Sequence, residues 1–286
     1  MNIQNDCVAC IVGQIDKALD LLDVPQELAD EIKQEVKERS KSFSFSHTPP
    51  FVAKDVYAYL ASRLNMSDPL ETIKQQSIEK ATELLPYIYK MIDKSDDKLF
   101  ASIKASVAGN VIDFGAKEQF CLTNEVLNIF EKDFAINHYD ILSLQISKVD
   151  KILVLADNSG ENVFDKVLLQ TIKNLYPAKE LFYATRGKPI INDITTKEAY
   201  QVGIDAYATI VDSGVDTPGL DLSRASDEFK KLFFEIPLII AKGMGNYECL
   251  EQLCDERIFF LFKVKCNVVA SSIDRDIGDI VLLQKQ

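Results

Sequence analysis

The sequence is poor in histidine, has no long apolar run and has no basic stripe. Only two histidines are present, His47 and His138, which argues against a zinc site built on imidazoles and against a histidine-based nucleophilic triad. The longest apolar runs are a few residues, whereas a membrane-spanning helix needs about 20. A net charge of -12 and a pI near 4.8 argue against duplex nucleic acid and anionic membranes as partners.

The N-terminal residues MNIQNDCVAC contain no basic region followed by an apolar core, so we expect no signal peptide and a soluble, cytoplasmic protein. The six cysteines are sparse and mostly lie in apolar or helical patterns, which predicts free thiols. Cys7 and Cys10 form a single CxxC pair with no second pair or nearby histidine at zinc-site spacing. Helical packing and a peripheral metal site therefore both remain open for this pair.

Two patterns divide the chain into two predicted domains. Apolar residues recur at three- and four-residue steps in residues 1–145, which predicts an all-α domain. In residues 146–286 apolar runs alternate with helical patterns, which predicts an α/β domain with a Rossmann-like, mostly parallel sheet flanked by helices. The predicted strands are KILVLA (151–156), ELFYAT (180–185), AYATIV (206–211), PLIIA (237–241), IFFLFKVK (258–265) and DIVLLQK (279–285), the last at an edge of the sheet.

Polar side chains follow four of these strands. Asp157 and Asn158 follow the first, Arg186 the second, Asp212 the third and Lys242 the fourth. Because parallel strands bring their carboxyl ends to one edge of a sheet, these side chains should converge on a ligand site. Ordinary loop polarity is the alternative explanation for any single strand end.

Asp157 and Asn158, together with Asp193 in the next loop, form a set of oxygen ligands. Carboxylate and amide oxygens suit Mg²⁺ or Mn²⁺, with phosphate and water completing the coordination. The sequence therefore predicts a divalent metal site at this edge.

Glycine turns beside charged residues indicate phosphate binding. Lys242 precedes Gly243 and Gly245, which offers an ammonium group and exposed backbone amides to an anion. Ser159 and Gly160 could form a second cradle before the next helix. Neither turn matches GxxxxGK[ST] or GxGxxG, which disfavours nucleoside triphosphates and dinucleotides. A metal, a lysine and amide donors around one phosphoryl group predict metal-assisted phosphoester hydrolysis.

Five motifs in order carry a family resemblance: GNVIDFG, DNSGEN, RGKPIINDIT, DSGVDTPG and KGMGNYE. They resemble the damage-control phosphatases, also catalogued as domain of unknown function 89, whose animal members were also proposed as acidic-residue methyltransferases. The CxxC pair resembles that of the prokaryotic branch. The resemblance covers almost the whole chain and implies hydrolysis of small phosphometabolites, commonly sugar phosphates. It also implies a divalent metal such as Mn²⁺, Mg²⁺, Co²⁺ or Ni²⁺.

By this resemblance Asp157, Asn158 and Asp193 match the metal ligands. Lys242 and the turn from Gly243 to Asn246 match the phosphate-binding segment, and Asn110 and Asp113 match a helical motif that borders the pocket. Lys188 and Asn162 depart from the small or apolar residues of the family pattern, which affects substrate detail. The predicted catalytic residues are therefore Asp157, Lys242, Asn110 and Asp113, and the predicted substrate-binding residues are Ser159, Gly160, Arg186, Asp212, Gly243 and Asn246.

Two other functions remain open at this point. An S-adenosylmethionine-dependent carboxyl methyltransferase needs a glycine-rich turn after its first strand and an acidic residue after its second. Here metal-type ligands and Arg186 occupy those positions. A non-enzymatic phosphometabolite sensor could use the same pocket, and only turnover separates it from an enzyme. For both the phosphatase and the sensor, the expected partner is a small phosphorylated metabolite. The oligomeric state is not predicted.

Overall fold

The computed structural model describes residues 1–109 and 126–285. Residues 1–109 form helices α1 (Asn5–Leu21), α2 (Gln26–Ser40), α3 (Pro49–Leu64), α4 (Glu71–Lys94) and α5 (Lys98–Ala108). Side-chain caps fix two of these helix starts: Thr48 accepts a hydrogen bond from the Phe51 amide at 3.3 Å, and Asp97 accepts one from the Phe100 amide at 2.9 Å. Residues 126–131 are also helical.

Strands and helices alternate in the rest of the chain. They are β1 (Ile136–Asn137), α6 (Tyr139–Lys148), β2 (Lys151–Leu155), α7 (Glu161–Leu175), β3 (Glu180–Thr185), α8 (Thr196–Gln201), β4 (Thr209–Asp212), α9 (Asp227–Glu235), β5 (Ile239–Lys242), α10 (Gly243–Leu250), β6 (Ile258–Lys263), α11 (Asn267–Ile273) and β7 (Ile280–Gln284). The strand predicted at 206–211 begins only at Thr209, because Ile204–Ala206 forms a 3₁₀ turn.

The seven strands of the described residues form one sheet in the order β1-β7-β6-β5-β2-β3-β4. Every neighbouring pair is parallel except β6 and β7, which confirms the predicted mostly parallel α/β fold. The edge position predicted for DIVLLQK is wrong, because β7 lies between β6 and the two-residue strand β1. β1 is too short to leave an apolar run in the sequence.

The strand order reverses beside β2. From β2 the chain proceeds to β3 and β4 on one side, and it returns to β5 and β6 on the other. Ligands of such sheets bind in the crevice outside the carboxyl ends of the strands at this switch point. The residues that follow β2 and β5 therefore border the predicted crevice.

Helices cover both faces of the sheet. Ile152 and Val154 of β2 belong to a core that includes residues of α4, α5 and α7. Leu153 and Leu155, which point to the opposite face, belong to a core that includes residues of α1, α2 and α3. Both cores thus contain residues from the N-terminal helices and from the sheet, and the division at residues 145/146 stays a prediction. Within the described ranges, none of the helices combines the length and apolarity needed to cross a membrane.

Candidate active site

Asp157, Asn158 and Asp193 come together at the carboxyl edge of the sheet. The loop after β2 pairs with the loop after β3: the Ile194 amide donates to the Asp157 carbonyl at 3.0 Å, and Asn158 forms an antiparallel bridge with Asp193. All three predicted metal ligands line one cleft of about 510 Å³. Neighbouring parallel strands therefore bring two loops, separated by more than thirty residues of sequence, to one site.

The two carboxylates of this set repel each other in a buried setting. Asp157 is 8% exposed and Asp193 is 2% exposed. Burial, followed by the charge of Asp193, raises the pKa of Asp157 to about 7. Burial also raises the pKa of Asp193 to about 6, although Arg186 opposes the shift. A bound cation would relieve this cost by favouring the charged carboxylates.

Arg186 lies beside the two carboxylates. Its Nε donates to Asp193 Oδ2 at 2.7 Å, and its Nη2 is 3.8 Å from Asp157 Oδ1. Among the described residues, this buried Nη2 has no hydrogen-bond partner. Arg186 therefore orients Asp193 in this structure, and its predicted role in substrate binding stays a prediction.

Asn158 completes the candidate metal set as an amide. Its Nδ2 donates to Asp157 Oδ2 at 2.9 Å and to Glu161 Oε1 at 3.0 Å. Its carbonyl oxygen, for which the described part of the chain provides no hydrogen-bond donor, is a suitable ligand atom for a hard cation. Residues 1–109 and 126–285 contain no group of three or more His, Cys, Asp or Glu side chains that could hold a metal. The candidate set is thus two carboxylates and one amide.

Lys242 is completely buried and points to carboxylates. Its Nζ donates to Asp165 Oδ1 at 2.7 Å, to the Ser106 carbonyl at 3.0 Å and to Glu161 Oε2 at 3.3 Å. Three acceptors match the three N–H bonds of an ammonium group. Burial favours neutral lysine, but Asp165 and Glu161 outweigh it and raise the pKa of Lys242. The contact between Lys242 and phosphate stays a prediction, because Nζ is directed at protein acceptors in this structure.

The carboxylates around Lys242 are held by further contacts. Tyr183 donates from its hydroxyl to Asp165 Oδ2 at 2.8 Å. Burial raises the pKa of Glu161 to about 7, despite the opposing charge of Lys242. The turn of α7 that carries Glu161 and Asp165 therefore joins the metal-type ligands to the buried lysine.

The turn after Lys242 packs directly on Asp157. Gly243 begins α10 with φ +77°, and a Cβ there would lie 1.9 Å from Asp157 Oδ2. Only glycine fits a position that combines a left-handed backbone with such a close approach. Asn246 fixes the turn because its Nδ2 donates to the Lys242 carbonyl at 2.6 Å and to the Ala156 carbonyl at 3.0 Å. Gly245 lines the cleft, and the first turn of a helix has N–H groups without intrahelical acceptors.

None of the six predicted substrate-binding residues, including Arg186, Gly243 and Asn246, is among those that line the cleft. Ser159 is fully buried, and its hydroxyl has no hydrogen-bond partner among the described residues. Gly160 adopts φ +94° at the start of α7. Asp212 is exposed and accepts a hydrogen bond from the Gly214 amide at 2.7 Å, which shapes its own turn. Asn110 and Asp113 lie outside the described residues. Their substrate and catalytic roles stay predictions.

The cleft also contains residues that the sequence reasoning missed. Lys17, Tyr57, Glu248 and Lys265 line it, as do the thiols of the CxxC pair and of Cys266. Lys265 lies two residues after β6, so the strand-end rule applied to that strand would have found it. Burial raises the pKa of Glu248 to about 7. This residue ends the KGMGNYE motif, but the sequence reasoning assigned no role to it.

The cysteines that the structure describes are free, as predicted: Cys7, Cys10, Cys249, Cys254 and Cys266. Burial raises the pKa of Cys7, Cys10 and Cys266. These thiols are therefore protonated near neutral pH, which disfavours a role as nucleophiles.

Comparison with known proteins identifies the family. Residues 3–281 match the family model of the damage-control phosphatase ARMT1-like domain. The chain belongs to this family, which confirms the family predicted from the five motifs. It also confirms the predicted class of enzyme, a phosphatase. Phosphatases of this family depend on a metal.

Full-length relatives support the assignment. An uncharacterized protein of Methanocaldococcus jannaschii is 34% identical, with 100% of this chain and 96% of that protein covered. A damage-control phosphatase of Pyrococcus horikoshii is 28% identical over 100% of this chain and 99% of its own. The crystal structure of a DUF89 family protein from the same organism has a TM-score of 0.91 at 27% identity and covers 100% of both chains.

Proposed function

We propose that this chain hydrolyses small phosphorylated metabolites, such as sugar phosphates, with Mg²⁺ or Mn²⁺ held by Asp157, Asn158 and Asp193. The observation that supports this proposal is that side chains from two separate loops line one cleft beside the start of α10. Asp157, Asn158 and Asp193 all supply oxygen atoms, which are the ligands that hard divalent cations prefer. The related phosphatase from Pyrococcus horikoshii supports the same reaction class.

The charge balance of the site fits a divalent cation. Asp157, Asp193, Glu161 and Asp165 are buried acids, and Lys242 and Arg186 are the buried bases that contact them. When all are ionised, four negative and two positive charges leave a net charge of -2. The raised pKa values of Asp157, Asp193 and Glu161 fit this excess of negative charge. A divalent cation would neutralise it.

A divalent cation bound here would polarise a phosphoryl oxygen and lower the pKa of bound water. The protein's own contribution is orientation. Arg186 fixes Asp193 through the 2.7 Å hydrogen bond from its Nε. Gly243 has no side chain, which leaves space for the Asp157 carboxylate. Backbone N–H groups in the first turn of α10 and the ammonium group of Lys265 supply positive potential where Met244 and Gly245 line the cleft. A phosphate group in this part of the cleft would contact both the cation and these donors.

The proposal is tested by metal analysis and phosphate release. Purified protein is analysed for bound metal, and a panel of phosphomonoesters is assayed with Mn²⁺, Mg²⁺, Co²⁺ and Ni²⁺. We expect Asp193→Asn to lower kcat/KM by about 10² or more, because a neutral amide is a weaker ligand than a carboxylate. Asp93→Asn, on an exposed surface of α4, is the control and should have no effect. Equal activity of the two variants would refute the metal assignment.

The same assay separates the alternatives. A non-enzymatic sensor would bind the phosphomonoesters without releasing phosphate. A carboxyl methyltransferase would transfer a methyl group from S-adenosylmethionine and show no phosphate release. Phosphate release that depends on the added metal is the result that supports hydrolysis.

A further inference from the structure

A second, smaller cavity adjoins the cleft. This side cavity has a volume of about 160 Å³ and includes Lys54, Tyr57, Asp68, Lys188, Ile191 and Asp216 in its walls. Tyr57 and Ile191 also line the cleft, so the two spaces are adjacent. Ile191 is two residues from Asp193, and Lys188 is two residues from Arg186. The loop that carries the candidate metal site therefore also forms the side cavity.

Each acid of the side cavity contacts a protein cation. Asp68 Oδ2 accepts a hydrogen bond from Lys74 Nζ at 2.7 Å, and the same Nζ lies 3.6 Å from Glu198 Oε1. Asp216 is held by both ends of the Arg224 guanidinium, at 2.5 Å from Nε and 2.7 Å from Nη2. A ligand in the cavity thus meets two carboxylates that are each paired with a protein cation.

The cations of the side cavity are less compensated. Lys54 pairs with Asp55 at 2.5 Å, and the Asp55 side chain is 68% exposed, so water competes for this pair. Lys188 is exposed and, within the described ranges, has no hydrogen-bond or ion-pair partner. Lys188 therefore brings to the cavity a positive charge without a counter-charge among the described residues, although the chain as a whole has a net charge of -12.

The backbone holds Lys188 in a defined position. Gly187 donates its amide to the Val215 carbonyl at 2.8 Å, and a Cβ on Gly187 would lie 2.6 Å from the Gly214 Cα. Pro189 follows and has a fixed φ. Lys188 thus lies between two restrained residues, so its backbone needs little further ordering when its side chain contacts a ligand.

We infer that the side cavity binds a second anionic group, a phosphate or a carboxylate, at the end of the substrate remote from the phosphate that is hydrolysed. This inference rests on the proposed function. Lys188 and Lys54 contact the remote anion, while Ala58, Ala61 and Pro189, which also line the cavity, contact the carbon skeleton. The preferred substrates are small phosphomonoesters with two anionic ends, such as sugar bisphosphates or phosphorylated sugar acids.

The test compares three substrates with one carbon skeleton: a hexose monophosphate, the hexose bisphosphate and the phosphorylated aldonate. Phosphate release is measured with full-length protein at fixed Mn²⁺ concentration and ionic strength. Wild type should prefer at least one two-anion substrate by about tenfold in kcat/KM, the size expected for one charge-assisted hydrogen bond. The bisphosphate has two cleavable groups, so a twofold preference for it counts as none. Comparing the bisphosphate with the aldonate distinguishes a remote phosphate from a remote carboxylate.

Lys188→Met should reduce this preference about tenfold, and most of the change should lie in KM. A contact to a group that does not react is made equally in the ground state and the transition state. Lys188→Arg keeps the charge and should retain most of the preference. Lys231→Met removes an exposed lysine from α9 and should leave the preference unchanged.

Two results would count against the inference, and they differ from failure of the proposed function. One is a wild type that releases phosphate from all three substrates equally well. The other is a Lys188→Met variant with the wild-type preference. If wild type released no phosphate from any phosphomonoester, the proposed function would be wrong and the inference would be refuted with it.

Discussion

Replacing Gly243 with alanine tests whether Asp157 is a metal ligand where the structure has it. The new Cβ would lie 1.9 Å from Asp157 Oδ2 and 2.2 Å from its Cγ. Since Cβ atoms do not approach other atoms closer than 3.0 Å, the carboxylate must move by about 1 Å. Metal–ligand distances tolerate only about 0.2 Å, so Asp157 would leave the coordination sphere. We expect Mn²⁺ affinity, measured by calorimetry, to fall by about 10- to 100-fold or more.

Gly203→Ala is the matched control for backbone strain. Gly203 has φ +79°, close to the +77° of Gly243, but a Cβ added there would meet no neighbouring atom of the described residues within 4 Å. Both variants should lose about 1–2 kcal/mol of unfolding free energy in urea, because alanine disfavours the left-handed region, and Gly243→Ala should lose more because the buried Asp157 carboxylate must also move. Only Gly243→Ala should lose Mn²⁺ affinity. If both variants bound Mn²⁺ as tightly as wild type, the reasoning about Asp157 would be refuted.

Three further outcomes follow from the buried charges. Lys242→Met leaves Glu161 and Asp165 buried without their cation, so it should lower the unfolding free energy in urea by about 3–5 kcal/mol; a loss under about 1 kcal/mol would contradict the buried cluster. Asp157→Asn should abolish phosphate release while the metal-free Tm stays level or rises, because burial disfavours the charged carboxylate; a large fall in Tm would mean that the carboxylate is structural. In the folded protein the pKa values of Asp157 and Glu161 are about 7, above their ordinary values of 3.8 and 4.5. Between the ordinary and the raised pKa values, the folded protein therefore binds more protons than the unfolded chain. The stability of the metal-free protein should therefore fall as pH rises from about 4 to about 7, and Mn²⁺ should bind more tightly at pH 8 than at pH 6. Urea unfolding measures the stability and calorimetry measures the metal affinity across this range. A metal affinity independent of pH would contradict the assigned ligands.

The edge of the sheet that carries the site was predictable from the sequence. Apolar runs without alternation indicate strands buried on both faces, and a polar residue directly after such a run has no role in the strand itself. Asp157 and Asn158 satisfied this rule after β2, and Asp193 was added as an oxygen ligand in the next loop, after β3. Because the strands are parallel, these loops had to meet.

Features set by distant parts of the chain were not predictable in the same way. The interior position of β7 depends on β1, whose two residues, Ile136 and Asn137, give no periodic signal. The close approach of Gly243 to Asp157 joins residues from two strands that are neighbours in the sheet but 86 positions apart in the sequence. Such contacts follow from strand order, which local patterns do not encode.

The direction of a strand-end side chain is the least predictable property of all. Arg186 and Lys242 end strands, as the phosphate-binding prediction required, yet both point to carboxylates: Arg186 to Asp193 at 2.7 Å and Lys242 to Asp165 at 2.7 Å. A buried ammonium or guanidinium group needs a counter-charge at all times, whether or not a ligand is bound. A cation that meets an anionic substrate from solvent must instead lie on the cleft surface, where water stabilises it in the empty state. Lys265 lines the cleft, whereas Lys242 is fully buried.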